Sequence, residues 1–414
     1  MDYIFAEGNG REITGKDKIF GVSQLAKKAT AEYGAENVVN ATIGALLDDD
    51  GNLIVLSSMV DVLKDMTPQE LAEYAPIAGI PEYLDVLKTV VFGKYMPKGF
   101  IEACATPGGT GSIRNTIANY SRPGDLVLTS NWHWSPYQII AREIGREVTT
   151  YEMFDESGNF NFGSFREKIS EILKKQDRLV ILFNAPAHNP TGYSPSSGTW
   201  DRIISILKEC AAPGKKITFF LDIAYIDFAG DSDRAREFLP KFGDMPDNIL
   251  VVVGFSASKG FTFYGLRTGA MLCITQNEEI AQEFKRVTAY SSRGSWSNCT
   301  RAGQAAIAKV FHDEKLLARV FEERKIYEKL LADRCRAFKE AAAEAGLATC
   351  PFNAGFFITI PCENDDAVNE ELQKHNIFAI AIGGGIRIAI SAISEEKCRM
   401  IPEKIAAAIK KVNG

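Results

Sequence analysis

No apolar run in this chain approaches the roughly 20 residues that a membrane-spanning helix needs. Nor does the start hold an apolar core of the secretory kind, because Asp2, Glu7, Arg11, Glu12, Lys16, Asp17 and Lys18 all fall within it. Basic clustering is missing too. Lysine and arginine never run longer than a pair and the net charge is -6, whereas nucleic-acid binding needs a concentrated basic surface. Histidines number four, and the eight cysteines (Cys104, Cys210, Cys273, Cys299, Cys335, Cys350, Cys362 and Cys398) form no C-x-x-C pair. Neither the usual zinc spacings nor a disulfide frame can be drawn from them. These absences predict a cytoplasmic protein with reduced thiols and no metal, and with neither nucleic acid nor membrane as its partner.

What remains is an ordinary globular composition, 46% hydrophobic and 24% charged. At 414 residues the chain is too long for one simple core, and two domains are expected. After a helical spacing at 21–33, residues 38–44 read as a short strand running into a turn. From 126 to 286, strands at 126–129, 147–151, 179–183, 217–221, 249–255 and 270–274 alternate with helices at 137–143, 165–175, 201–210 and 277–286. Such alternation is the signature of an open α/β sheet. The 249–255 run, ILVVVGF, is continuous rather than alternating, as expected for a strand buried on both faces of a parallel sheet. Beyond it, 301–350 is strongly helical, and strands at 356–360 and 385–390 alternate with helices at 367–375 and 395–412.

Polar residues cluster at the predicted strand ends, where open sheets place ligands. Lys259 follows the 249–255 strand among Phe255, Phe261, Phe263 and Tyr264. Stripping water from an ammonium lowers its pKa, which leaves the nucleophilic amine that imine chemistry needs. Ser256, Ser258 and Arg267 supply neutral and charged donors suited to a phosphate monoester. A second anion site is suggested by the glycine-rich segment 105–112, which contains Gly109 and Thr110 and opens a helix over 113–120. It departs from G-x-G-x-x-G and lacks the acidic residue at ribose-binding distance, which argues against a nicotinamide cofactor. The segment 130–137 is rich in aromatics, and Trp132 or Trp134 offers a stacking face for a flat ring. Asp222 ends the 217–221 strand, and Asn189 follows the 179–183 strand.

Asn189-Pro190-Thr191-Gly192, Asp222-Ile223-Ala224-Tyr225 and Ser256-Ala257-Ser258-Lys259 with Arg267, in this order, resemble the class I aminotransferases of the aspartate and aromatic amino-acid branch. The resemblance runs from about Ile19 to Arg387. It implies the α/β fold of the fold-type I transferases that use pyridoxal 5'-phosphate, with a mostly parallel central sheet in a large domain and a smaller α/β domain. The expected division is an N-terminal arm at 1–20, a small domain from 21–47 and 311–414, and a large cofactor-binding domain at 48–310.

In that family's terms Lys259 holds the cofactor as an aldimine and then shuttles a proton. Asp222 keeps the ring nitrogen protonated, Asn189 and Tyr225 reach the phenolic oxygen, and Trp134, with Trp132 as competitor, stacks on the ring. Gly109, Thr110, Ser256 and Arg267 hold the phosphate, joined by Tyr74 from a neighbouring subunit. Gly44 lies beside the substrate, Arg387 binds its α-carboxylate, and Arg293 reaches into the neighbour's site to bind a side-chain carboxylate. The 293–298 segment departs from the family's pattern: Trp296 replaces a tyrosine, and Cys299-Thr300 replace a proline pair. The implied protein is a homodimer with shared active sites. It would move the amino group of an α-amino acid, aspartate or aromatic, to a 2-oxo acid such as 2-oxoglutarate. A β-lyase on the same scaffold and a non-catalytic pyridoxal-phosphate-binding protein are the alternatives.

Overall fold

The computed structural model describes residues 18–414 together with Phe5 and Gly8, so most of the expected N-terminal arm lies outside the described residues. Seven strands form the main sheet: β2 (Ala103–Pro107), β3 (Leu126–Ser130), β4 (Glu147–Tyr151), β5 (Arg178–Asn184), β6 (Lys216–Asp222), β7 (Ile249–Ser256) and β8 (Thr268–Ile274). Their order across the sheet is β2-β8-β7-β6-β5-β3-β4. From β7 to β4 every pairing is parallel, and β8 runs antiparallel to both β7 and β2.

The continuous apolar runs follow from burial on both faces. In β5, Leu179, Ile181 and Phe183 enter one core while Val180 and Leu182 enter another, and β7 divides in the same way, with Val251 and Val253 opposite Val252. Helices on each side cover these faces, so no position can be polar without losing its packing. Gly254 interrupts β7 for a steric reason: a Cβ there would stand 2.2 Å from the Phe220 ring.

Two expectations change. Residues 105–107, expected within the glycine-rich segment ahead of a helix, belong to strand β2, and that helix begins at Gly108; the glycines and Pro107 at the junction hide a strand of five residues. The strand expected at 38–44 shrinks to β1 (Val39–Asn40), paired in parallel with β10 (Ile377–Phe378), and the chain through Gly44 is irregular.

A second core gathers around β9 (Phe357–Pro361), β11 (Ile380–Ala381) and β12 (Gly385–Ala389), which form an antiparallel sheet in the order β11-β12-β9. The helix Glu314–Glu344 joins the two bodies of packing, with Val320 in the core of the main sheet and Ala337, Phe338 and Ala342 in the second core. Asp313 starts it by accepting hydrogen bonds from the amides of Lys315 and Leu316. Among the described residues no helix is long and apolar enough to cross a membrane.

Candidate active site

Parallel pairing brings the ends of β5, β6 and β7 side by side, with Asn184 opposite Asp222 and Asp222 opposite Gly254. Asn184 Nδ2 donates to the Asp222 carbonyl at 3.0 Å, and its Oδ1 accepts from the Asn189 amide at 2.7 Å. Asn189 Nδ2 in turn donates to Tyr225 Oη at 3.3 Å. Asp222 is buried, and its carboxylate accepts from Tyr137 Oη at 2.7 Å and from the Ala224 amide at 3.2 Å. Burial pushes the Asp222 carboxyl above its ordinary value, and these hydrogen bonds oppose that rise.

After β7 a single helical turn, Ala257–Gly260, carries Lys259, and Ser256 caps it by accepting from the Ser258 amide. Lys259 Nζ donates to the Gly44 carbonyl at 2.8 Å and lies 4.6 Å from the Tyr264 ring centroid. The side chain borders the cavity, but its amine is enclosed. Burial first, and then the charges of Arg267 and Arg387, push the amine down to about 7, against the opposing pull of Asp222. The folded amine is therefore neutral above that pH. In cofactor-free protein, acylation of Lys259 should rise with pH through a midpoint at about 7. A midpoint near the ordinary lysine value of about 10 would contradict this environment.

An anion cradle lies beside the lysine. The helix Gly108–Tyr120 begins after Pro107 with no side-chain cap, which leaves amides of its first turn available. Gly108 has φ +68°, and a Cβ there would meet Arg267 Nη2 at 2.8 Å. Arg267 Nη1 donates to the Tyr264 carbonyl at 3.0 Å and to Ser258 Oγ at 3.4 Å.

On the far side, Arg387 projects from β12. Its Nη2 donates to the Thr42 carbonyl at 2.8 Å, its Nη1 to Asn189 Oδ1 at 3.4 Å, and its guanidinium lies 4.5 Å from the Phe357 ring centroid. Nε is buried without a partner, and among the described residues no carboxylate pairs with the group. Burial pushes Arg387 down to about 10.

These groups surround one cavity of about 310 Å³. Gly44, Gly109, Thr110, Trp134, Asn189 and Asp222 line it, as do Tyr225, Ser256, Lys259, Arg267 and Arg387. Of the two tryptophans Trp134 borders the cavity, whereas Trp132 packs against the Gly384–Gly385 backbone. Tyr74 and Arg293 stand apart. Tyr74 is 88% exposed, and Arg293, exposed near the end of the helix Glu278–Ser295, donates to Ser297 Oγ at 2.6 Å.

Two contributors escaped the sequence reading, Asn184 and Tyr137. The Tyr137 ring meets Trp134 edge-on, with centroids 5.6 Å apart, while its hydroxyl supports Asp222. The Tyr137 amide donates to the Trp134 carbonyl at 3.0 Å in the turn that leads into the helix Pro136–Glu143, which brings the two rings together. Hydrogen bonds to charged groups are worth about 1.5–3 kcal/mol. Tyr137→Phe should weaken cofactor binding by about that amount while keeping the ring packing; unchanged affinity in fluorescence titration would remove Tyr137 from the site.

An enclosed amine near neutrality, a buried carboxylate on the adjacent strand and an anion cradle at a helix start are the equipment of an enzyme that works through pyridoxal phosphate. The family Aminotransferase class I and II matches residues 36–405, and the chain belongs to it. The chain is 39% identical to an aminotransferase from Anaerococcus prevotii of known crystal structure, with a TM-score of 0.95 over 98% of this chain and 99% of that one. It is 25% identical to the aspartate aminotransferase of Haemophilus influenzae over 94% of this chain and 96% of that protein. It is 30% identical to the mitochondrial aspartate aminotransferase of Xenopus tropicalis over 66% of this chain, a match spanning 62% of that protein's length. An aromatic-amino-acid aminotransferase from Burkholderia pseudomallei, covalently bound to pyridoxal phosphate, shares the fold at TM-score 0.79 and 23% identity over 99% of this chain and 100% of that one.

Proposed function

We propose that this protein transfers the amino group of an α-amino acid to a 2-oxo acid, with aspartate and aromatic amino acids as donors and 2-oxoglutarate as acceptor. The observation that carries the reading is a buried arginine, Arg387, without a carboxylate partner, facing the same cavity as Lys259 and Asp222. A lone buried cation is costly, and a substrate carboxylate is the partner that would offset it.

The residues present fit pyridoxal phosphate. Gly109 and Thr110 at the helix start, with Ser256 and Arg267, would hold its phosphate; Trp134 would face its ring; Asn189 and Tyr225 would reach its phenolic oxygen. When bound, the cofactor supplies an electron-withdrawing ring that stabilises the charge left by a departing α-proton. Asp222 would hold a proton on the ring nitrogen, and its buried setting would strengthen that pairing. Lys259, neutral above about pH 7, serves as the base that accepts the α-proton and the acid that returns it. Arg387 orients the donor through its α-carboxylate, with Gly44 beside it; the glycine there is required by packing, since a Cβ would stand 2.5 Å from the Phe357 ring.

The working unit in this reading is a homodimer, in which the exposed Tyr74 reaches the neighbour's phosphate site and Arg293 reaches the neighbour's substrate. The chain divides into an arm at 1–20, a small domain from 21–47 and 311–414, and a large domain at 48–310, with the site between the latter two. Arg293 would pair with a second carboxylate, and by swinging out would admit an aromatic side chain. Loss of one such pair costs roughly 2–5 kcal/mol. Arg293→Ala should therefore lose kcat/KM for aspartate by about thirty-fold or more while keeping aromatic activity. Equal loss on both donors, or none on either, takes Arg293 out of substrate selection. A fully active monomer in sedimentation rules out the shared site.

A further inference from the structure

Two arginines of the helix Glu314–Glu344 are enclosed, and neither has a part in the scheme above: Arg324 is 3% exposed and Arg334 is 0% exposed. Enclosing a guanidinium is unfavourable unless its donors are met, so their partners are informative. Arg324 Nε donates to the Gly260 carbonyl at 2.5 Å, and its Nη1 to Asp227 Oδ1 at 3.4 Å. Gly260 directly follows Lys259, and Asp227 lies two residues past Tyr225. Asp227 also accepts from Arg236 Nη2 at 2.6 Å and fills the space beside Gly260, where a Cβ would stand 1.8 Å from Asp227 Oδ2. Arg324 thus grips the lysine's turn and the segment after Tyr225 together.

Ten residues on, roughly 15 Å along the axis, Arg334 makes a second grip. Its Nη1 donates to the Ser391 carbonyl at 3.0 Å and its Nη2 to Asp49 Oδ1 at 2.7 Å. Ser391 lies four residues past Arg387, and its carbonyl also accepts from the Leu47 amide at 2.9 Å. Ala389 in turn donates to the Ala41 carbonyl at 3.0 Å. Arg334 thus holds the segment that leaves the Arg387 strand and the loop that follows Gly44. The helix packs into both cores just outside the two grips, through Val320 before Arg324 and Phe338 after Arg334.

We propose that Arg324 and Arg334 are positioning residues that make this helix a spacer, holding the lysine turn at a fixed distance from the strand that carries Arg387. The inference rests on the reading of Lys259 as the proton-transferring amine and Arg387 as the carboxylate-binding cation. Arg324 acts on the chemical step through Lys259; Arg334 acts on substrate binding through Arg387.

The test is hydrogen–deuterium exchange on the full-length protein, with and without pyridoxal phosphate, for wild type, Arg324→Met and Arg334→Met. Arg324→Met should speed exchange in 256–263 by about tenfold or more and leave 385–392 within about twofold. Arg334→Met should give the reverse, loosening 44–50 and 385–392 but not 256–263. In steady state, Arg324→Met should lower kcat with KM for the amino donor unchanged, and Arg334→Met should raise KM with kcat largely kept. Should the methionine variants not accumulate, Arg324→Lys and Arg334→Lys carry the same test, because an ammonium cannot span both partners of either guanidinium. Both segments loosening together in either variant, or neither loosening, overturns the spacer. The exchange measurement needs no substrate, so a crossed pattern in a protein that transfers no amino group would uphold the two grips while removing the functional reading.

Discussion

Replacing Lys259 by alanine should lower kcat for amino transfer by about 10⁴-fold, the upper range for loss of a positioned acid–base group. No neighbour can stand in for it. The Tyr225 and Tyr264 ring centroids lie 5.6 Å and 4.6 Å from the Lys259 amine, and burial pushes both phenols up, Tyr264 to about 12, so neither is a base near neutrality. Asp222 is committed to hydrogen bonds from Tyr137 and the Ala224 amide. The variant should still bind pyridoxal phosphate through the helix-start cradle, but borohydride should fix none of it to the protein. Turnover within about tenfold of wild type would mean that Lys259 is not the proton-transfer group.

Arg387→Leu should separate affinity from stability. Its guanidinium is the enclosed cation proposed to meet the substrate α-carboxylate, so kcat/KM should fall for every amino donor, by roughly 2–5 kcal/mol or about thirty-fold to several-thousand-fold. Folding should respond in the opposite sense. Exchanging a buried charge that has no counter-ion for an apolar side chain is often neutral or stabilising, so Tm should hold or rise. A second sign concerns Lys259. Arg387 is one of the charges that lower its amine, so the acylation midpoint of cofactor-free protein should move upward from about 7 in the variant. A fall in Tm together with unchanged kcat/KM would assign Arg387 a purely structural role.

Residues whose chemistry is local could be read directly from the sequence. The β7 run announced a doubly buried strand, and Asp222 at the end of β6, with Lys259 and Asn189 in the segments that follow β7 and β5, announced themselves by their place at strand ends; all three border one cavity. Long-range partners were not legible. Tyr137 looked like one more aromatic in a crowded segment, and its hydroxyl gained meaning only when Asp222, 85 residues away, was placed against it. Strand β2 hid because it is short and runs straight into the helix Gly108–Tyr120 through Pro107 and two glycines, residues that mask a strand signal. Arg324 and Arg334 sat in a charged helical stretch and resembled solvated side chains. Only packing from both sides turned that part of the helix inward.

Product formation by the pyridoxal-phosphate-loaded protein supplied with aspartate or phenylalanine and 2-oxoglutarate tests the central claim most directly. Amino transfer predicts glutamate in equal amount to the 2-oxo acid derived from the donor. Release of ammonia without glutamate, or no consumption of either donor, would contradict it.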